Sequence, residues 1–129
     1  MVQARILYVE DDELLRVTVQ DTLELEGWRL ESCGDGLAAL SLLESAQRYD
    51  LLLFDNDLPG VSGLELLRHA RMLPYRQRTP IVIISATDCA REAHRAGADA
   101  FLKKPDDINQ LASTIARLLN ASANSEANS

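Results

Sequence analysis

Four stretches of this chain hold side chains with chemistry to offer one another: Glu10-Asp11-Asp12, Asp55-Asn56-Asp57, Ser85, and Lys103-Lys104-Pro105. Carboxylates brought close together repel. Two unit charges ~4 Å apart interact by roughly 4 kcal/mol at an effective dielectric of 20. A proton or a cation must relieve that. An all-oxygen donor set with few backbone cages suits Mg2+, which keeps waters and completes its shell with phosphate oxygens. An aspartate is also a nucleophile towards phosphorus and forms an aspartyl phosphate. That reaction needs a divalent metal, a positive group on the transferred phosphoryl and a hydroxyl donor. Lys104 and Ser85 offer the last two. Each residue alone has a plainer explanation. An acidic run after a strand complements a helix N-terminus, and a lysine before proline sits on a solvated loop. The combination is informative only if the fold brings the four stretches together.

The hydrophobic pattern says that it does. Ile6-Leu7-Tyr8-Val9, Leu51-Leu52-Leu53-Phe54 and Ile81-Val82-Ile83-Ile84 are short unbroken apolar runs. Trp28 to Cys33 mostly alternates, and Ala100-Phe101-Leu102 is a shorter strand. Between them the period changes to helical. Leu15, Val19 and Leu23 lead to Gly27, and Ala39 and Leu43 lie one turn apart. Leu64, Leu67 and Ala70 precede Pro74, and a short helix from about Asp88 to Ala96 stops at Gly97. Ile108, Leu111, Ile115 and Leu118 form the stripe of a last helix. Strict strand–helix alternation predicts a parallel sheet with helices on both faces. The three unbroken runs belong in the centre and the other two at the edges. Short right-handed crossovers then leave the order 2-1-3-4-5. The expected fold is a single doubly wound (βα)5 domain over residues 1–120, with a polar, disordered tail over 121–129. In such sheets ligands bind beyond the carboxyl ends of the strands, where the order reverses. The four chemical stretches all fall at strand ends on that side.

Composition narrows the function further. The 129 residues carry 13 basic and 20 acidic side chains, a formal net charge of −7, which argues against a direct nucleic-acid partner. No apolar run approaches the ~20 residues needed to span a bilayer, so no membrane partner is expected. The start has no signal-peptide pattern, and the expected location is the cytoplasm. Cys33 and Cys89 make no disulfide framework, and reduced thiols are expected. Asn120-Ala121-Ser122 is a chance sequon. His69 and His94 are expected on exposed helix surface, and Trp28 in packing at the edge. Arg68, Arg71, Arg76 and Arg78 are expected to form a solvated basic face, with an acidic partner as the alternative.

From about Ala4 to Leu119 the chain resembles the receiver domain of two-component response regulators. The resemblance is carried by Ile6 to Asp12, and by Asp50 to Asp55 with Leu58-Pro59-Gly60 and Gly63. Pro80 to Ala86, Gly97-Ala98-Asp99, and Phe101 to Pro105 complete it. It implies a flavodoxin-like fold and phosphorylation of Asp55 by a histidine kinase or histidine phosphotransfer protein with Mg2+, Mn2+ being the other candidate ion. Glu10 and Asp11 match the paired acids, with Asp11 the more direct ligand, and Asp12 falls outside the pair as a helix cap. Asp57 matches the position whose backbone carbonyl completes the metal shell. Ser85 matches the switch hydroxyl, Lys104 the lysine that pairs with the phosphoryl, and Phe101 the aromatic that turns inward on activation. The Lys104–Pro105 bond matches a cis bond.

The resemblance further implies a chain that catalyses only its own phosphorylation and dephosphorylation and is not an enzyme on external substrates. The fourth helix, fifth strand and fifth helix would form the output face. No effector domain follows Leu119, so output is expected through protein contacts, or through a linked output domain if the chain is a fragment. Glu10, Ser85 and Phe101 stand where Asp, Thr and Tyr are commoner. Asp57 is less usual and adds charge beside the phosphoryl. It is expected to tune phosphoryl lifetime or metal affinity, and Thr87 flanks the same site. Three alternatives share some features. A pseudo-receiver would bind a partner without phosphorylation. Asp55-Asn56-Asp57 also resembles the nucleophile motif of haloacid dehalogenase-type phosphatases, which here lacks a later acidic pair. A flavin binder of the same strand order would need a hydroxyl-rich loop after strand one, where this chain is acidic.

Overall fold

A computed structural model describes residues 3–127, the side chains of 125–127 apart. Strands β1 (Arg5–Val9), β2 (Arg29–Cys33), β3 (Leu51–Asp55), β4 (Ile81–Ser85) and β5 (Ala100–Lys103) alternate with five helices. These are α1 (Glu13–Glu24), α2 (Gly36–Glu44), α3 (Gly63–Met72), α4 (Ala90–Ala96) and α5 (Leu111–Ala127). Single 3-10 turns occupy Pro74–Arg76 and Ile108–Gln110. All strand pairs are parallel and the order is β2-β1-β3-β4-β5, as the pattern predicts.

The period of two along each strand sends alternate side chains to opposite faces. Leu7, Val9, Leu52, Phe54, Ile81 and Ile83 pack with Ala39, Leu43, Leu64, Leu67, Ala70 and Ala93, which places α2, α3 and α4 on one face. Ile6, Tyr8, Leu51, Leu53, Val82 and Ile84 pack with Val19, Leu23, Leu111 and Ile115, which places α1 and α5 on the other. Residues Leu51 to Phe54 and Ile81 to Ile83 are completely buried. At ~1.5–3 kcal/mol for each such side chain, the central strands hold the sheet rigid where the site is built. Register decides which strand ends meet. Val9 lies opposite both Cys33 and Phe54, Asp55 opposite Ile84, and Ser85 opposite Lys103.

Three sequence expectations are corrected. The stretch 121–129 is not a disordered tail as far as it is described, because α5 continues to Ala127. Residues 128–129 lie outside the described part. The run contains no Gly or Pro, and Ala, the strongest helix former, recurs in it; an established helix extends more readily than a new one nucleates. The short fourth helix begins at Ala90, later than Asp88, whose Oδ1 instead accepts from the Ala90 amide. The arginine cluster is not one solvated face. Arg68 and Arg78 are exposed, but Arg71 and Arg76 turn inward. Arg76 is only 2% exposed and donates to the carbonyls of Leu42, Leu43, Ser45 and Gln47. Arg71 donates to the carbonyls of Arg76, Gln77, Thr79 and Gly97 and pairs with Asp99 at 3.0 Å. Both tie loops together at the sheet end remote from the acidic residues. As expected, His94 is exposed and Trp28 packs on the α1/α5 side. His69 lies within 2.9 Å of Glu44.

Candidate functional site

The chain leaves β1 through Glu10, whose amide donates to the Cys33 carbonyl and whose own carbonyl accepts from Arg16 Nη1 at 2.8 Å. Those bonds hold Glu10 inward, 2% exposed, while Asp11 projects to solvent. Asp12 caps α1, its Oδ1 accepting from the Leu15 amide at 3.0 Å. Asp55 ends β3 and is 1% exposed. Its Oδ1 accepts from the Asp57 amide at 2.8 Å and its Oδ2 from Lys104 Nζ at 2.8 Å. Lys104 is brought there by its own amide, which donates to the Ser85 carbonyl at 2.8 Å and continues the β4–β5 ladder by one bond. The Lys104–Pro105 peptide is cis.

The charged atoms therefore converge. Lys104 Nζ lies 2.8 Å from Asp55 Oδ2, 3.7 Å from Glu10 Oε1 and 3.9 Å from Asp57 Oδ2. Glu10, Asp11 and Asp55 each offer a carboxylate oxygen, and these atoms lie within 4.8 Å of one another. The Ser85 side chain is fully buried, and its Oγ donates to Asp57 Oδ1 at 2.9 Å and accepts from the Thr87 amide at 3.1 Å. Thr87 itself is exposed at the rim. Phe101 is half-buried against the α2–α4 side of the sheet.

Three local contacts support the site in ways that the sequence does not spell out. Asn56 Oδ1 accepts from the Leu64 amide at 2.9 Å and so anchors the start of α3 to the loop after Asp55. A short polar residue directly after a strand is the only signal of this in the sequence. Gly63 is needed because the helix starts against that loop: a Cβ there would come within 2.6 Å of the Asp55 carbonyl oxygen. The third is the Asp57 side chain, whose Oδ2 accepts from the Ala86 amide at 2.9 Å.

The electrostatics follow from burial. Burial pushes the Glu10 carboxyl up to about 8, and the adjacent Asp55 carboxylate adds to the effect against the opposing Asp12 amide and Lys104. Burial alone would lower Lys104, but the hydrogen-bonded Asp55, with Glu10 and Asp57, outweighs it and holds the ammonium more firmly protonated. Tyr8, buried beneath, is pushed well up by burial and then by Glu10 and Asp55. The pocket thus has more negative charge than its lysine balances, and its donors are all hard oxygens. Mg2+ fits such a donor set, with Glu10, Asp11 and Asp55 placed to hold it.

A raised acid has a definite consequence for stability. Between the ordinary 4.5 and about 8, the folded chain holds a proton on Glu10 that the unfolded chain has released. Stability from this group is therefore fully present below the lower value and is lost as the pH rises through the upper one. In chelator, the urea midpoint of the wild type should fall across that window, and Glu10→Gln should flatten the slope. Parallel slopes in the two proteins would show that Glu10 carries no such proton.

A buried aspartate at a parallel strand end, with an adjacent lysine and paired acids, on a sheet of order 2-1-3-4-5, defines a phosphoacceptor-type site. The family model of the response regulator receiver domain matches residues 6–116, and the chain belongs to that family. It is 36% identical over 118 residues to the phosphate regulon transcriptional regulatory protein PhoB of Rhizobium meliloti, covering 89% of this chain and 52% of that protein. The chain thus spans about half the length of that relative. A CheY-like receiver domain from Methanospirillum hungatei superposes with a TM-score of 0.87 at 28% identity, over 96% of this chain and 99% of that one. The receiver domain of the sensor histidine kinase PA1611 from Pseudomonas aeruginosa superposes at 0.81 with 30% identity, over 92% and 99%. That structure holds a magnesium ion in its active site cleft.

The protein is a receiver domain of two-component response regulators, and its pocket of Glu10, Asp11 and Asp55 fits Mg2+ and a phosphoacceptor aspartate. Receiver domains are in general non-enzymatic signalling domains, and the family implies partnership with histidine kinases or phosphotransfer proteins. No helix among the described residues is long and apolar enough to cross a membrane.

Proposed function

We propose that this chain accepts a phosphoryl group on Asp55 from a phosphohistidine of a histidine kinase or phosphotransfer protein, in the cytoplasm. The observation that carries the reading is Lys104 Nζ at 2.8 Å from Asp55 Oδ2, at a buried strand end beside the oxygens of Glu10 and Asp11. An Asp55 oxygen attacks phosphorus, the new O–P bond forms as the P–N bond breaks, and the imidazole nitrogen leaves with the electron pair and takes up a proton. Lys104, freed from its ion pair as the carboxylate becomes an acyl phosphate, neutralises the charge on the phosphoryl oxygens. The Ser85 hydroxyl is within the same pocket and donates to another of them. Glu10, Asp11, Asp55 and the Asp57 backbone carbonyl would hold Mg2+ or Mn2+. The metal would shield the phosphoryl charge as the nucleophile approaches.

Occupancy adds ~1.5–2 negative charges at this point. Ser85 and Lys104 follow β4 and β5, so their rearrangement reaches α4, β5 and α5, with Phe101 on β5 between them. That face is the output surface, read by an effector protein or a linked domain. The chain turns over no external metabolite; it supports only its own phosphorylation and the later hydrolysis, with Asp57 and Thr87 at the rim setting the rate. Incubation with acetyl phosphate and Mg2+, followed by intact mass, should give one phosphoryl adduct per chain. The adduct should be absent in Asp55→Asn and in chelator. Wild type that stays unmodified under these conditions would defeat the reading and favour a partner-binding module that works without phosphorylation.

A further inference from the structure

The Asp57 side chain already does what a phosphoryl group on Asp55 would do. Its Oδ1 takes the Ser85 hydroxyl at 2.9 Å, its Oδ2 takes the Ala86 amide at 2.9 Å, and Oδ2 faces Lys104 Nζ at 3.9 Å. These are the hydroxyl, the amide and the ammonium that point into the pocket above Asp55. The Asp57 amide meanwhile donates to Asp55 Oδ1 at 2.8 Å, so the two residues are locked side by side. A carboxylate and a phosphoryl are both oxyanions seeking the same donors, and charge-assisted bonds of this kind are the strong ones. The pocket does not hold both. Their like charges repel, and the Ser85 hydroxyl and the Ala86 amide have one proton each to give.

We propose that the Asp57 carboxylate is a built-in competitor for the phosphoryl position, which must swing out to solvent before Asp55 can be occupied. This rests on the reading of Asp55 as acceptor and adds an autoinhibitory contact to it. The route out exists, because the Asp57 side chain is 37% exposed while Asp55 beside it is 1% exposed. Two consequences follow. Occupancy of Asp55 is opposed by the bonds that Asp57 gives up. The Ser85 hydroxyl is also held in the pocket before any phosphoryl arrives, so free and occupied states differ less at this residue than they would with a neutral side chain in place of Asp57. A ligand shifts a population only by its differential affinity for the two states, and the competitor lowers that difference.

The test uses beryllofluoride as the phosphoryl analogue, in Mg2+ saturating for each variant, with affinity measured by calorimetry. Asp57→Ala should bind it at least about tenfold more tightly than wild type, the equivalent of ~1.4 kcal/mol, and Asp57→Asn should fall between them. In the free proteins the Ala86 amide proton should shift upfield in Asp57→Ala, since it loses its acceptor. A change of charge without contact would leave that resonance in place. Equal or weaker binding by Asp57→Ala, or an unmoved Ala86 amide, would overturn the competitor while leaving Asp55 as acceptor. Binding by neither protein would remove the acceptor reading and the competitor with it.

Discussion

Lys104→Met is expected to cut phosphoryl uptake from acetyl phosphate by ~100-fold or more and to cost about 3 kcal/mol of stability in the metal-free protein. The first figure follows from removing one preorganised positive group from the oxygens that gain charge in the transition state. The second follows from stranding buried carboxylates without their cation. It sits at the low end of that range because Glu10 already holds a proton up to about pH 8, which leaves less bare charge for the lysine to balance. The two effects separate experimentally. Mg2+ should restore much of the urea midpoint, because a dication relieves the same repulsion among Glu10, Asp11 and Asp55. It should not restore uptake, because the positive group that Lys104 brings to the transferred phosphoryl would still be missing. Normal uptake in Lys104→Met would mean that Nζ, although 2.8 Å from Asp55 Oδ2, leaves the pocket when the phosphoryl enters.

Arg76→Met should lower stability by ~3–5 kcal/mol, a loss of the size seen when one member of a buried charged network is removed. At this chain length that corresponds to roughly 10–20 °C in Tm. The guanidinium lies between the rings of Tyr49 and Tyr75, 5.0 Å and 4.9 Å from their centroids. Its Nε donates to the Leu43 carbonyl at 2.7 Å and its Nη2 to Gln47 at 2.8 Å, with Leu42 and Ser45 also in reach. These are carbonyls at and beyond the end of α2, where the helical ladder runs out. Leu42 is also served by the Ser45 amide and hydroxyl and Leu43 by the Tyr75 hydroxyl, which leaves Ser45 and Gln47 most dependent on the guanidinium. Burial lowers the Arg76 pKa, yet a guanidinium stays charged in proteins, so its fan of donors is always available. Methionine fills the volume and offers none. Arg76→Lys should recover little, because one ammonium cannot span acceptors spread over Leu42 to Gln47. Thermal melting checks both variants. Uptake at Asp55, at the other end of the sheet, should persist in each at temperatures where the fold survives. A melting point within a few degrees of wild type would show that water serves those carbonyls equally well.

Much of this protein is written locally. Unbroken apolar runs separated by helical periods specify five strands, their burial and their order. The topology then forces Glu10, Asp55, Ser85 and Lys104 to one edge, whatever the side chains in between. Asp12 as a cap and Gly97 as a stop are local as well: the Asp12 side chain bonds three residues ahead, and Gly97 adopts φ 107°. The features that sequence reading misplaced depend instead on partners far along the chain. Arg71 and Arg76 look like solvated charge until the loops after α2 and α4 close over them, 26 to 34 residues away. Asp57 could be read as extra negative charge, but its direction is set by Ser85 and Ala86, 28 and 29 residues on.

Residues 121–127 failed for a different reason. Polar composition reports what a segment can bury, whereas a helix already under way needs only the absence of a breaker to continue. Periodicity thus establishes which elements exist and which strand ends are neighbours. Which oxyanion fills a pocket, and which arginine is buried, is decided only when the tertiary fold brings donors and acceptors within 3 Å and excludes the water that would otherwise serve them.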